Sequence, residues 1–402
     1  MNAFINIKTA EKGLQFGTKK CKTMLVGKNT KNVLNNNLSV DTWSVVHKEN
    51  CDTGDTDLIE EYEGQEEISS CTEQKYLGFV ISNTGDNMAN IRAIRNRSNG
   101  TIRKIFNKLN GLNLQKYYFE CGMIFMNVML RTSILYACET YYHLKENEIR
   151  QLERIEENFM RQLLRTKKSC PIMQLYLELG QVPARFDIIK LRLYFLKYIL
   201  QQAPESSVAK MYQLQLENPK RGDWASTAKK NLQDLNINLS NEEIRNMSKS
   251  TYIKLIRNKC RESAFRYLTN KRGKKGKDIE YRSLKMSEYL LPNKELSVEQ
   301  QRNIFEIRNN MTNIKSNFCS EKDNIAKCIC GEIETVTHIY YCEQLNRKEP
   351  DVKYQNINGE NLKELKYIQE RLKENLNEKE NKENSHEILC CDPLQSVQIG
   401  LQ

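Results

Sequence analysis

From Met88 to Leu200 the apolar residues recur at intervals of three and four, and this period constrains the fold more than any other feature of the chain. Met88, Ile91 and Ile94 step by three, and Ile102, Ile105, Phe106 and Leu109 mark one face of the same helix. Tyr117 to Ala137 is densely apolar and predicts a buried helix. Leu152, Ile155, Phe159 and Leu163 form the stripe of an amphipathic one. Phe186 to Leu200, opened by Pro183, is apolar nearly all round and belongs at the centre of a core. With 17 Gly and 7 Pro among 402 residues, little in the composition interrupts long helices. The expected fold is mainly α.

Before Asp86 the pattern changes. Cys21 to Val26 and Lys75 to Ser82 are short runs of strand formers bounded by Gly or Asn, so a small β-containing part is expected at the N-terminus. Between them, residues 48–73 hold ten carboxylates against one lysine; this acidic insertion is expected to be solvated and disordered. Pro204, and Pro219 with Gly222, mark a candidate domain boundary. Ser240 to Glu243 and Ser297 to Gln300 carry capping-box signatures, in which the two side chains satisfy each other's backbone amides at a helix start. The tail beyond residue 346 repeats Lys, Glu and Asn around Leu362, Leu365, Ile368, Leu372 and Leu376, a marginal helix on its own.

Charge narrows the function. The chain carries +11, with +6 in residues 1–31 and +9 in residues 254–285. The helix from residue 88 adds a polar face bearing Arg92, Arg95, Arg97, Arg103, Lys104 and Lys108 with no carboxylate among them. Lys271, Arg272, Lys274, Lys275 and Lys277 form a basic loop with Tyr267 and Tyr281 nearby. Charge of this density contacts phosphates through counterion release, so RNA or DNA is the expected partner. The stripe 152–163 and the tail are second candidates, as protein-contact surfaces. No stretch is apolar enough for a membrane span, and the first ten residues lack a secretory signal. An intracellular location, nuclear or cytoplasmic, is expected.

The sharpest chemical signal is Cys328, Cys330, His338 and Cys342. Three thiolates and an imidazole make a closed tetrahedral set for one structural zinc, with no position left for a reactive water. Three of the 13 cysteines thereby gain a role. Asp52-Thr53-Gly54 matches the aspartic-protease triplet but lacks the apolar strands that chemistry needs. His47, His143 and His386 form no catalytic arrangement.

The order of these motifs resembles the carboxy-terminal part of LINE-type (non-LTR) retrotransposon reverse transcriptases. Gly13 to Phe16, Lys20 to Met24 and Lys75 to Phe79 resemble the end of the palm. Tyr136 to Thr140 and Leu152 to Leu164 look like the thumb, and the Cys-Cys-His-Cys cluster is similar to the zinc motif near the end of those polyproteins. The resemblance implies a palm end with its acidic insertion over 1–85, a thumb-like domain over 86–203 and a basic helical connector over 204–316. A zinc module over 317–345 and a charged tail over 346–402 complete it. It makes Lys20 the candidate palm lysine and places Tyr76, Leu77 and Gly78 in a primer-grip-like hairpin. Polymerisation needs magnesium held by aspartates that include an adjacent pair. No two of the twelve aspartates here are adjacent. The fingers and most of the palm are expected to be missing, so magnesium would act only if the palm were supplied, and the chain alone should not copy RNA.

Overall fold

The computed structural model describes the backbone of 38–49 and 56–68, then residues 71–141, 144–220, 222–271, 279, 281–292, 296–309 and 311, and a cluster at 327–328, 330–333, 335 and 338. Lys20, Cys21 to Val26, the Asp52-Thr53-Gly54 triplet and the tail lie outside the described residues. The described structure is mainly helical, with two small antiparallel hairpins at its start.

The first hairpin corrects the expectation for the acidic insertion. Strand β1 (Leu38–Glu49) pairs with β2 (Thr56–Ile68), so half of the segment taken as a disordered loop is a strand. The residues just before it supply the reason. Trp43, Val45 and Val46 are strong strand formers, and the register sets Trp43 opposite Tyr62, Val46 opposite Ile59 and Leu38 opposite Ile68. One irregularity, between Thr42 and Trp43, accommodates the extra residue of β2.

The second hairpin brings another correction. The run Lys75–Ser82 is two strands, β3 (Glu73–Tyr76) and β4 (Phe79–Ser82). Leu77 (φ 46°) and Gly78 (φ 89°) both adopt positive φ, as the two central residues of a tight hairpin turn require. The turn is fixed from below: Arg97 Nη1 donates to Gly78 O (2.8 Å) and Tyr136 Oη donates to Leu77 O (2.5 Å).

The helical period is realised in α1 (Met88–Gly111), which buries Ile91, Ile94, Ile102, Ile105 and Leu109. Helix α2 (Tyr118–Phe125) runs through a π-helical turn (Met126–Leu130) into α3 (Arg131–Ile134). The expectation of a fully buried helix holds for one side only, because Ile124, Val128 and Tyr136 are exposed. Helix α4 (Glu146–Leu164) buries Leu152, Ile155, Phe159 and Leu163 completely or nearly so. That stripe is spent inside the chain against α1 and the later helices, so it is no surface for a protein partner. Gly122 accommodates it: a Cβ there would lie 2.6 Å from Leu163 Cδ1.

Helix α5 (Ile172–Glu178) leads to α6 (Ala184–Leu200), which packs against α4 and four of the later helices. Those four are α7 (Ser207–Glu217), α8 (Trp224–Asp234), α9 (Asn241–Asn246) and α10 (Lys249–Lys271). The last described helix is α11 (Val298–Arg308), and both predicted capping boxes are formed, at Ser240 and Ser297. One apolar core runs from Ile91 to Met311, so the boundary expected at residue 204 separates no two cores.

Two buried carboxylates fasten this body. Glu156 accepts from Tyr176 Oη (3.0 Å) and Ala184 N (3.1 Å) and lies 2.9 Å from Arg131 Nε, whose N–H is not aimed at the oxygen. Arg131 also bonds Asp187 at 3.1 Å. Glu178 accepts from Tyr281 (2.8 Å), Tyr289 (3.0 Å), Ser287 and Arg308 Nε (3.2 Å), tying α5 to the segment before α11 and to α11 itself. A buried ion needs this many donors to offset its lost hydration.

Candidate metal centre and basic helix face

The Cys/His cluster is built on a tight turn. Gly331, at φ 89°, lets the chain reverse, so that Gly331 N bonds Cys328 O (2.9 Å) and Cys328 N bonds Glu332 O (2.7 Å). A bridge between Lys327 and Ile333 closes the loop. This reversal puts Cys328 and Cys330, one residue apart, on the inside of one turn. His338 arrives from the other side: Thr335 Oγ1 accepts from His338 N (3.0 Å), as a helix-starting threonine does.

The three ligand atoms lie within 4.8 Å of one another, and Cys330 Sγ is 3.1 Å from His338 Nε2. Ligands at about 2.0–2.3 Å from a tetrahedral ion stand roughly 3.5 Å apart. The group can therefore hold a metal ion. Cys328 is buried and the other two are half-buried, while Gly331, Glu332 and Ile333 are exposed. Cys342 lies outside the described residues. The capping role of Thr335 escaped the sequence reading, although a threonine three residues before a helical residue is its ordinary signature.

The second feature is α1. None of its 24 residues is acidic. Arg92, Arg95, Arg103, Lys104 and Lys108 are exposed on the side away from the core, interspersed with exposed Asn96, Asn99 and Asn107. The structure sorts the predicted cations. Arg92 is paired with Glu73 at 2.6 Å. Arg97 turns inward to hold the hairpin at Gly78, so its task is structural, and the expectation that it meets phosphate is corrected. Among the described residues no carboxylate pairs with Arg95, Arg103, Lys104 or Lys108.

The basic loop is only partly visible. Thr269 to Lys271 complete α10 instead of joining a loop, and Lys271 Nζ sits 4.8 Å from the centre of the Tyr267 ring. Arg272, Lys274, Lys275 and Lys277 lie outside the described residues. Tyr76 and Leu77 project at the tip of the second hairpin, with Gly78 at its turn. Among the described residues no helix is long and apolar enough to cross a membrane. Comparison with family models, with curated proteins and with solved structures finds no match to this chain.

Proposed function

We propose that this protein binds nucleic acid without catalysing a reaction on it. In this reading the phosphates meet the exposed face of α1, and one structural zinc is held by Cys328, Cys330, His338 and Cys342. The observation that carries the proposal is α1 itself. One face is locked in the core, and the other presents Arg95, Arg103, Lys104 and Lys108 with no acidic residue anywhere on the helix. A helix of this length is about 36 Å long, enough to follow roughly one turn of a duplex. The asparagines between the cations are neutral hydrogen-bonding groups suited to sugar and phosphate oxygens.

The resemblance to the thumb and terminal zinc motif of LINE-type reverse transcriptases supports the same partner, RNA or DNA, and suggests an RNA–DNA hybrid as the first probe. The zinc supplies cohesion: four protein ligands leave it no open position for chemistry. Without an adjacent aspartate pair the chain carries no means of holding the two catalytic magnesium ions, so no polymerisation is proposed for it alone.

Fluorescence anisotropy with a labelled hybrid, across a salt series, tests the reading. Four phosphate contacts give a slope of log affinity against log salt of roughly −3 to −4. Reversing Arg95→Glu, Arg103→Glu and Lys104→Glu together should weaken binding at least about 10-fold at low salt. Affinity that ignores salt, or a triple variant that binds like the parent, would refute it.

A further inference from the structure

We propose that this protein bridges two nucleic-acid segments, through a second phosphate-binding face on α10 set back to back with the face of α1. The inference rests on the nucleic-acid reading above and adds to it the number of duplexes that one chain holds. Helix α10 carries seven Lys or Arg against the single Glu262. Its inward row is Tyr252, Ile256, Cys260, Ala264 and Leu268, buried at every fourth residue. The outward row, shifted by two, is Lys254, Asn258, Glu262, Arg266 and Asn270, all exposed. Exposed Arg257 flanks it.

The charge left over on this face is positive. Glu262 is already paired with Lys259 at 3.2 Å, and Arg261 is held by Leu284 O. Among the described residues no carboxylate pairs with Lys254, Arg257 or Arg266. No large apolar side chain of α10 is exposed, whereas a helix that seats on a membrane needs an apolar face. Cations interspersed with neutral Asn258 and Asn270 suit a phosphate backbone instead.

The core decides where this face looks. Gln151 Nε2 of α4 lies 3.8 Å from Met88 Sδ of α1, and the Phe159 ring is centred 5.2 Å from that of Phe106. Further round α4, Glu153 accepts from Arg185 Nε (2.6 Å), and the Arg185 guanidinium lies 4.8 Å from the centre of the Tyr267 ring on α10. At about 100° per residue, Glu153 stands roughly 160° round the helix from the middle of Gln151 and Phe159. Helices α1 and α10 therefore flank α4 on opposite sides, and α10 turns its buried row to α5 and α6. The two basic faces look apart. A duplex bends smoothly only over about 150 base pairs, so a short one is a rod that lies on one face and cannot reach round the core to the other.

Sedimentation of the full chain at low salt with an excess of a fluorescent RNA–DNA hybrid of about 16 base pairs tests this. The complex should have the mass of one chain and two hybrids. Lys254→Glu, Arg257→Glu and Arg266→Glu together should leave one hybrid per chain, the affinity for the second falling at least about 10-fold. Should that variant fail to fold, Lys254→Gln, Arg257→Gln and Arg266→Gln repeat the test without adding carboxylates. A wild type that saturates at one hybrid overturns the bridge and leaves the reading of α1 standing. An α10 variant that still carries two does the same, as does a complex in which two chains surround the two hybrids. A chain that takes up no hybrid at all overturns both.

Discussion

The helical body and the Cys/His cluster solve one problem by opposite means. Between Ile91 and Met311 the chain buries a continuous apolar core and can therefore keep ions inside it, with Glu156 and Glu178 each given several donors. Around residues 327–338 the described side chains bury almost nothing: Cys328 alone is inside, and Ile333 is in water. Where the described residues supply no core of their own, burial among them does not offset the entropy of ordering the backbone, and a cross-link would. In the body, charge is tolerated because packing is abundant. In the cluster, packing is dispensable if a metal supplies the bonds.

The sharpest test of that contrast has the largest expected effect. A structural zinc contributes on the order of 10 kcal/mol to a small module. If the cluster holds the one zinc proposed above, chelation, or His338→Ala, should therefore abolish amide protection around 327–338 and release that ion, as read by metal analysis. The thermal transition of the helical body should stay where it was. If the body melts with the cluster, the two regions are not independent and the comparison fails.

Next in size is Arg131→Met. It leaves Glu156 in the interior without its cation, while Asp187 keeps Lys190. Removing one partner of a buried ion pair costs about 3–5 kcal/mol. Chemical denaturation should register that loss in the body while metal content is unchanged.

The smallest effect is in pH. Burial pushes the Glu156 carboxyl up to about 7, with Arg131 opposing the shift. A folded-state pKa above the unfolded value near 4.5 means that folding favours the protonated form. The contribution is complete below pH 4.5 and is lost as the pH rises through about 7. Over that window it amounts to roughly 3 kcal/mol. Glu156→Gln, fixed in the neutral form, should flatten this part of the stability profile; equal slopes for the two proteins would show that Arg131 holds the carboxylate ionised throughout.

Much of this was legible in the residues. Ile91 to Leu109, the stripe at Leu152 to Leu163 and the apolar α6 are periodic over many turns, and long periodic signals average out local ambiguity. The capping boxes at Ser240 and Ser297 are purely local geometry, and they formed as expected. The cysteine spacing likewise brought Cys328, Cys330 and His338 together. What was misread depended on distant partners. The acidic segment looks disordered by its own composition and becomes a strand because β1 lies opposite. Arg97 looks like its basic neighbours and is claimed instead by a carbonyl nineteen residues away.

The sequence by itself determined what is periodic or near in the chain: a mainly helical body, its helix starts, and a thiol–imidazole cluster on a glycine turn. Only the tertiary structure decided which surfaces are used up and which are left over. The stripe 152–163 vanished into the core, and the helix expected to be wholly buried kept one apolar side in water. Neither outcome was written in the residues alone, since a side chain's hydrophobicity says that it seeks a partner and not which one. That choice depends on how helices pack, and packing is settled by the whole chain at once.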